Sequence, residues 1–362
     1  MRKAIIEVQF NWIFILIVGA IILAFFVGIV VKQKEISIKK TGVQLAFDLE
    51  TITTGAEVSK GTSQTIDIPN LGITFSSRDC IRKYTIGGGS KLYREKVIFA
   101  PTRIEGSRLL AWTLSWDMPF RITNFLLLTS PGMRYIIVAP TGNPEARMFA
   151  KLMNKTIPES IFKEIIDQDK VANIKDYKNY KVRFVFFTDS FDPPPVLNYM
   201  KDTDVTALRI DDLRNGGERA NLTFYRKKKS GNVYVFDKLG TTYALGVPSL
   251  YGAFFADDLE TYQCNMMEAF NKMYFVSKLV QNRTYMLYTE PALATSVCSA
   301  DYSASIEALM NMHKNASRLS KEFLEGYTYS MTNDVYDLAY DPDTGLSRHN
   351  GNLLLHSCPV IY

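Results

Sequence analysis

Trp12 to Val31 is a run of 20 residues with no charged or strongly polar side chain. Nothing else in the chain constrains its fold as much. Coiled as a helix rising about 1.5 Å per residue, the run spans about 30 Å, the thickness of a bilayer core. Helices of soluble proteins keep a polar face, and this one has none. Phe10 and Trp12 stand at one end, where aromatic rings favour the membrane interface, and Lys32 and Lys34 mark the other. The run exceeds the roughly 7–15 apolar residues of a signal-peptide core, and Lys-Gln-Lys-Glu follows it where a small-x-small cleavage site would stand. We therefore expect a retained anchor over residues 1–31. No second run of this length occurs, so a single crossing is expected.

Two signals bear on which side the body lies, and they disagree. Arg2 and Lys3 precede the helix, while Lys32, Lys34, Lys39 and Lys40 follow it. The positive-inside rule leans on that count towards a cytoplasmic body. The four cysteines, 80, 264, 298 and 358, lean the other way. They are even in number, widely spaced and free of any C-x-x-C, which fits two disulfides outside the reducing cytosol. Of the three pairings open to four cysteines, Cys264–Cys298 with Cys80–Cys358 is the one we expect, joining two long helices and closing the body. Sequons at Asn154, Asn221, Asn282 and Asn315 are candidate glycosylation sites on the same reading.

Composition narrows the classes further. With 47% hydrophobic and 22% charged residues, the chain carries a real core and is neither disordered nor collagen-like. A net charge of +5 on 42 basic and 37 acidic residues is too small and too dispersed for a dedicated nucleic-acid binder. Three histidines, 313, 349 and 356, make a histidine-rich metal centre improbable, and no metal or cofactor is expected.

After the anchor, residues 32–62 read as a membrane-proximal helix or stalk. Leu45, Leu49, Ile52 and Ala56 recur at helical spacing, and Gly42 is a candidate weak point. Residues 63–133 read as a small, mostly antiparallel β domain with strands at 64–68, 72–76, 96–100, 108–116 and 120–128. The segment 86–90 reads as a glycine loop. Trp112, Leu114 and Trp116 alternate onto one face. Residues 134–362 read as a Rossmann-like α/β domain with a helical C-terminal part. Strands are expected at 134–139, 181–188 and 205–210. Helices follow at 144–154, 158–169 and 196–200, then antiparallel strands at 221–226, 232–237 and 241–245. Long helices fall within 250–281 and 301–326, and a closing strand is expected at 353–356. The fold class is thus α/β, α+β overall.

Gln9-Phe10-Asn11-Trp12-Ile13-Phe14-Ile15-Leu16 with Gly19-Ala20-Ile21-Ile22-Leu23, the run Met118 to Pro131, and Ile66-Asp67-Ile68-Pro69-Asn70 resemble segments of uncharacterised archaeal single-pass membrane proteins, over about residues 5–138. Arg2, Lys3 and Glu7 before the apolar helix also resemble archaeal type IV pilin-like proteins, with Ala4 standing where those have glycine. The resemblance brings no activity with it; the anchor, the stalk and the cysteine pattern together lead us to expect protein partners or self-assembly at the cell surface.

Chemistry is sparse. There is no G-x-G-x-x-G, no Walker lysine and no G-x-S-x-G, and no catalytic set is assigned. Ligands of parallel sheets bind at the carboxyl ends of the strands. That rule selects Thr141, Gly142 and Asn143 after the first α/β strand, Asp189 and Asp192 after the second, and Asp211 after the third. Asn143 followed by Pro144 is equally a helix cap. Arg226-Lys227-Lys228-Lys229, the one basic run, is expected at a hairpin tip, in solvent or against phosphates or lipid heads. The expected role is a membrane-anchored extracytoplasmic structural or binding protein. The alternative is a membrane-tethered enzyme or small-ligand sensor that uses the acidic loops.

Overall fold

The apolar run and the stalk form one helix. The computed structural model describes residues 2–58, 61–68, 72–174, 177, 179–187, 194, 197–323 and 328–362. It opens with α1 (Arg2–Val58), 57 residues and about 85 Å at the ordinary helical rise. Then follow β1 (Ser63–Asp67), β2 (Ile73–Ser76), β3 (Lys83–Ile86), β4 (Gly89–Leu92), β5 (Ile98–Phe99), β6 (Arg103–Ile104), β7 (Arg108–Asp117), β8 (Arg121–Thr129) and β9 (Met133–Ala139). The middle holds α2 (Pro144–Thr156), β10 (Lys163–Asp167), β11 (Lys181–Phe186), β12 (Val205–Arg214), β13 (Arg219–Ser230) and β14 (Val233–Leu245). The chain ends with α3 (Val247–Phe255), α4 (Leu259–Thr289), α5 (Pro291–Ala294), α6 (Ser299–Glu322), α7 (Thr328–Tyr340) and α8 (Leu346–Leu355).

Among the described residues, α1 is the one helix long and apolar enough to cross a membrane. A window in its Trp12–Thr51 stretch has a mean hydropathy of 3.2 and buries nothing. The last turns of α1 behave differently. Leu49 is buried, Glu50 pairs with Lys91, and Lys96 Nζ donates to the Glu50 carbonyl at 3.0 Å and to Thr54 Oγ1 at 2.7 Å. Gly42 does not break the helix. It lets α1 press on β3, because any Cβ there would collide with the Ile86 carbonyl. The side chains of Leu45, Ile52 and Ala56 lie outside the described residues.

Among the described residues three sheets follow: β1-β7-β8-β5, β4-β3-β2-β6, and a six-stranded sheet ordered β10-β9-β11-β12-β13-β14. Period-two alternation on β7 and β8 divides two cores. Leu110, Trp112, Trp116, Phe125 and Leu127 enter the central core, whereas Leu109, Ala111, Leu126 and Leu128 join Leu49 of α1 and the second sheet. The six-stranded sheet is parallel from β10 to β12 and antiparallel beyond. Tyr135, Ile137 and Val185 face the central core with α2–α4, and Ile136, Val138 and Phe184 face a third cluster. The central core draws on residues on both sides of 133–134.

Several expectations are corrected. Residues 163–167 form strand β10 and not a helix: neighbouring Ile165 and Ile166 pack on opposite sides of the sheet, which only an extended chain allows. The glycine loop at 86–90 is a hairpin. Gly87 and Gly88, both at positive φ, make the two-residue turn between β3 and β4. The strands expected at 232–237 and 241–245 are one strand, β14, with a bulge at Leu239 beside Gly240. Residues 353–355 close helix α8 and form no strand, and His356 beyond it is exposed.

The cysteine pairing is also corrected. The bonds are Cys80–Cys264 and Cys298–Cys358, with Cα separations of 5.1 and 6.4 Å. The reason is the length of α4. Cys264 lies near its amino end, and Cys298 follows its carboxyl end, about 40 Å away along the axis, far beyond disulfide reach.

Candidate functional site

The chain leaves β9 through α2 to β10 on one side, then returns to β11 on the other side of β9. The strand order therefore switches between β9 and β11, the place where parallel sheets open a crevice. A groove of about 300 Å³ lies there, lined by Asn143, Glu145, Phe187, Asp211, Asp212 and their neighbours.

Two of the expected residues meet in this groove. Asn143 arrives from the β9–α2 turn and Asp211 from the far half of β12. Thr141 and Gly142 are exposed and outside its lining. Asp189 and Asp192 lie outside the described residues.

The polar groups that line the groove are largely engaged within the protein. Asn143 Oδ1 accepts from Ala146 N at 3.0 Å, so the side chain caps α2. Asp211 Oδ2 lies 2.8 Å from Arg209 Nε, and Asp212 Oδ2 lies 2.8 Å from Arg214 Nη2. Glu145 sits in the first turn of α2, where a carboxylate complements the helix dipole. No group of three His, Cys, Asp or Glu is placed to hold a metal ion among the described residues.

Other candidates have structural partners. Lys227, expected at a solvated tip, is fully buried. Its Nζ donates to the carbonyls of Leu197, at 3.1 Å, and Met200, and lies 4.4 Å from the Tyr234 ring. The tip itself begins four residues later, at Gly231 and Asn232, so strand alternation turns Lys227 inward. Arg226 faces Asp258 and Lys228 faces Asp237. His349 Nδ1 lies 2.8 Å from Asp301 Oδ1 and ties α8 to α6. Burial pushes the His313 imidazole down, with Lys278 and Lys314 adding to the effect. Among the sequons, Asn282 is exposed on α4, whereas Asn154 and Asn315 are half-buried in helices. Asn221 is paired on both sides within the sheet, opposite Asp211 and Tyr243.

A larger cavity, about 450 Å³, lies at the other end of the same sheet, at the amino ends of β9 and β11. Arg103, Arg108, Arg134 and Lys181 line it, and no motif in the sequence marks any of them. The only signal in the sequence is a single charge at the head of each strand that contributes.

No known family model, curated protein or solved structure matches the chain.

Proposed function

We propose that this is a single-pass membrane-anchored protein whose body occupies the oxidising side of the membrane and serves as a structural or binding component of the envelope. One observation carries the reading: α1 is a continuous helix that buries nothing over its apolar window and is docked on the body by its last turns. The two cystines, closing separations of 184 and 60 residues, support an oxidising compartment. The test is cysteine labelling in intact cells with a membrane-impermeant thiol reagent. Labelling that requires prior treatment with an impermeant reductant is the expected result. Thiols reached only after lysis, with no reductant, would overturn it.

A second reading, a membrane-tethered enzyme or small-ligand sensor, is favoured by the groove at the switch point, where Asn143 and Asp211 converge. It takes the lead if the labelling places free thiols in the cytoplasm.

A further inference from the structure

The cavity at the amino ends of β9 and β11 is bounded by the strand ends at 103–108, the turn at 130–132 and residues 179–181. Four cations and one carboxylate, Glu105, line it. Glu105 is taken up by Arg103, whose Nε lies 2.6 Å from Oε1. Lys181 Nζ donates to the Arg103 carbonyl at 3.1 Å and lies 3.9 Å from Asp204. Arg108 and Arg134 have no carboxylate within ion-pair distance among the described residues. Asp67 stands opposite Arg108 in the β1–β7 register but outside that distance.

Arg134 is held rigidly. Its guanidinium is stacked between the rings of Phe162, at 3.9 Å, and Tyr180, at 3.6 Å. Its Nη1 donates to the carbonyls of Pro131, at 2.6 Å, and Met133, at 3.0 Å. Stacking fixes the plane and the two carbonyls fix the rotation, so little side-chain entropy is left to lose on binding. Nε and Nη2 have no protein acceptor among the described residues. An oriented guanidinium edge with free donors, next to a second uncompensated guanidinium, has the geometry that receives an oxyanion.

We propose that this cavity binds a phosphate-type oxyanion, either free in solution or at the end of a lipid headgroup. Arg134 supplies the oriented donors and Arg108 the second charge, with Lys181 adding to the local field. Two uncompensated cations match a group that carries between one and two negative charges near neutral pH. The site stands whichever side of the membrane the body occupies.

The test is calorimetric titration of inorganic phosphate into the full chain in nanodiscs of neutral phosphatidylcholine, with chloride at matched ionic strength as the control. Saturable phosphate binding is expected, with none for chloride. Arg108→Gln should weaken it at least about tenfold, the loss of one hydrogen bond between charged groups. Arg134→Lys should do the same, because an ammonium cannot present a planar pair of donors. Arg108 is exposed at a strand end, so its variant decides the matter even if Arg134→Lys does not fold. No saturable binding, or binding that Arg108→Gln leaves unchanged, overturns the proposal. Repeating the titration in discs containing phosphatidic acid, whose terminal phosphomonoester carries between one and two charges, separates the sources: weakened phosphate binding assigns the site to a headgroup, and unchanged binding assigns it to the free anion.

Discussion

Reducing the two cystines should cost the body a large part of its thermal stability, in amounts set by the loops they close. Cys80–Cys264 closes a separation of 184 residues and Cys298–Cys358 one of 60. In the chain-entropy picture these loops are worth roughly 5 and 4 kcal/mol. The loops do not overlap, so the contributions add to about 9 kcal/mol. A body of about 300 residues unfolds with an entropy near 0.6 kcal/mol per kelvin, which converts the sum to a fall of about 15 °C in Tm. Calorimetry of the full chain in detergent, with and without reductant, measures this directly. Cys80→Ser with Cys264→Ser should lose about 8 °C and Cys298→Ser with Cys358→Ser about 7 °C. The first pair should also loosen one seam selectively. Cys80–Cys264 stands beside the Arg82–Glu268 ion pair at 2.9 Å, which fastens the second sheet to α4, and near the bond from Ile98 N to Asn265 Oδ1 at 3.0 Å, which fastens β5 of the first sheet to the same helix. A Tm that reductant leaves within about 2 °C, or peptide mapping that finds Cys264–Cys298, would refute the reasoning.

Three further outcomes are expected. Arg183→Ala should destabilise the fold by about 3–5 kcal/mol in a denaturant titration, because the fully buried guanidinium donates to the carbonyls of Ala253 and Phe254 at 2.8 and 2.9 Å and to Thr206 at 3.1 Å. Burial pushes the Glu268 carboxyl above its ordinary value of 4.5 although Arg82 opposes the shift. The folded state therefore holds that proton more tightly than the unfolded chain. Its contribution is fully present below about pH 4.5 and is lost as pH rises through the folded pKa, and Glu268→Gln should flatten that part of a Tm–pH curve. Gly42→Leu should lift α1 off β3 at a cost of about 1–3 kcal/mol, seen as faster proteolysis after residue 42 with both cystines intact.

What was legible in the sequence is what depends on local period. The apolar run, the alternation over 109–116 and the Asn143 cap each depend on neighbours within about four residues, and each stands where expected. Short apolar runs failed for the same reason. Ile161 to Ile166 and Leu353 to Leu355 satisfy both periods, and only the faces they pack against decide between helix and strand. The cystine pairing was beyond local reading because it depends on which end of a 31-residue helix meets the second sheet. The two cavities divide in the same way. Strand ends can be counted from the sequence, so Asn143 and Asp211 could be named. Arg103, Arg108, Arg134 and Lys181 come from three sheets and nearly 80 residues of chain, and Arg134 matters only because Phe162 and Tyr180 close on it.

The docking of α1 also limits how the body can move relative to the apolar run. The apolar run ends at Val31, and the helix meets the body by Gly42. Eleven residues of helix separate the two points, about 16 Å. A flexible linker of that length would let the body tumble, whereas a helix pinned by Leu49, Lys91 and Lys96 fixes its orientation. If the run spans the bilayer, the β3–β4 hairpin that carries Lys83 and Lys91 is held within a few nanometres of the headgroups. The face such a body presents is then set by its fixed orientation, and Gly42→Leu is the substitution that would free it.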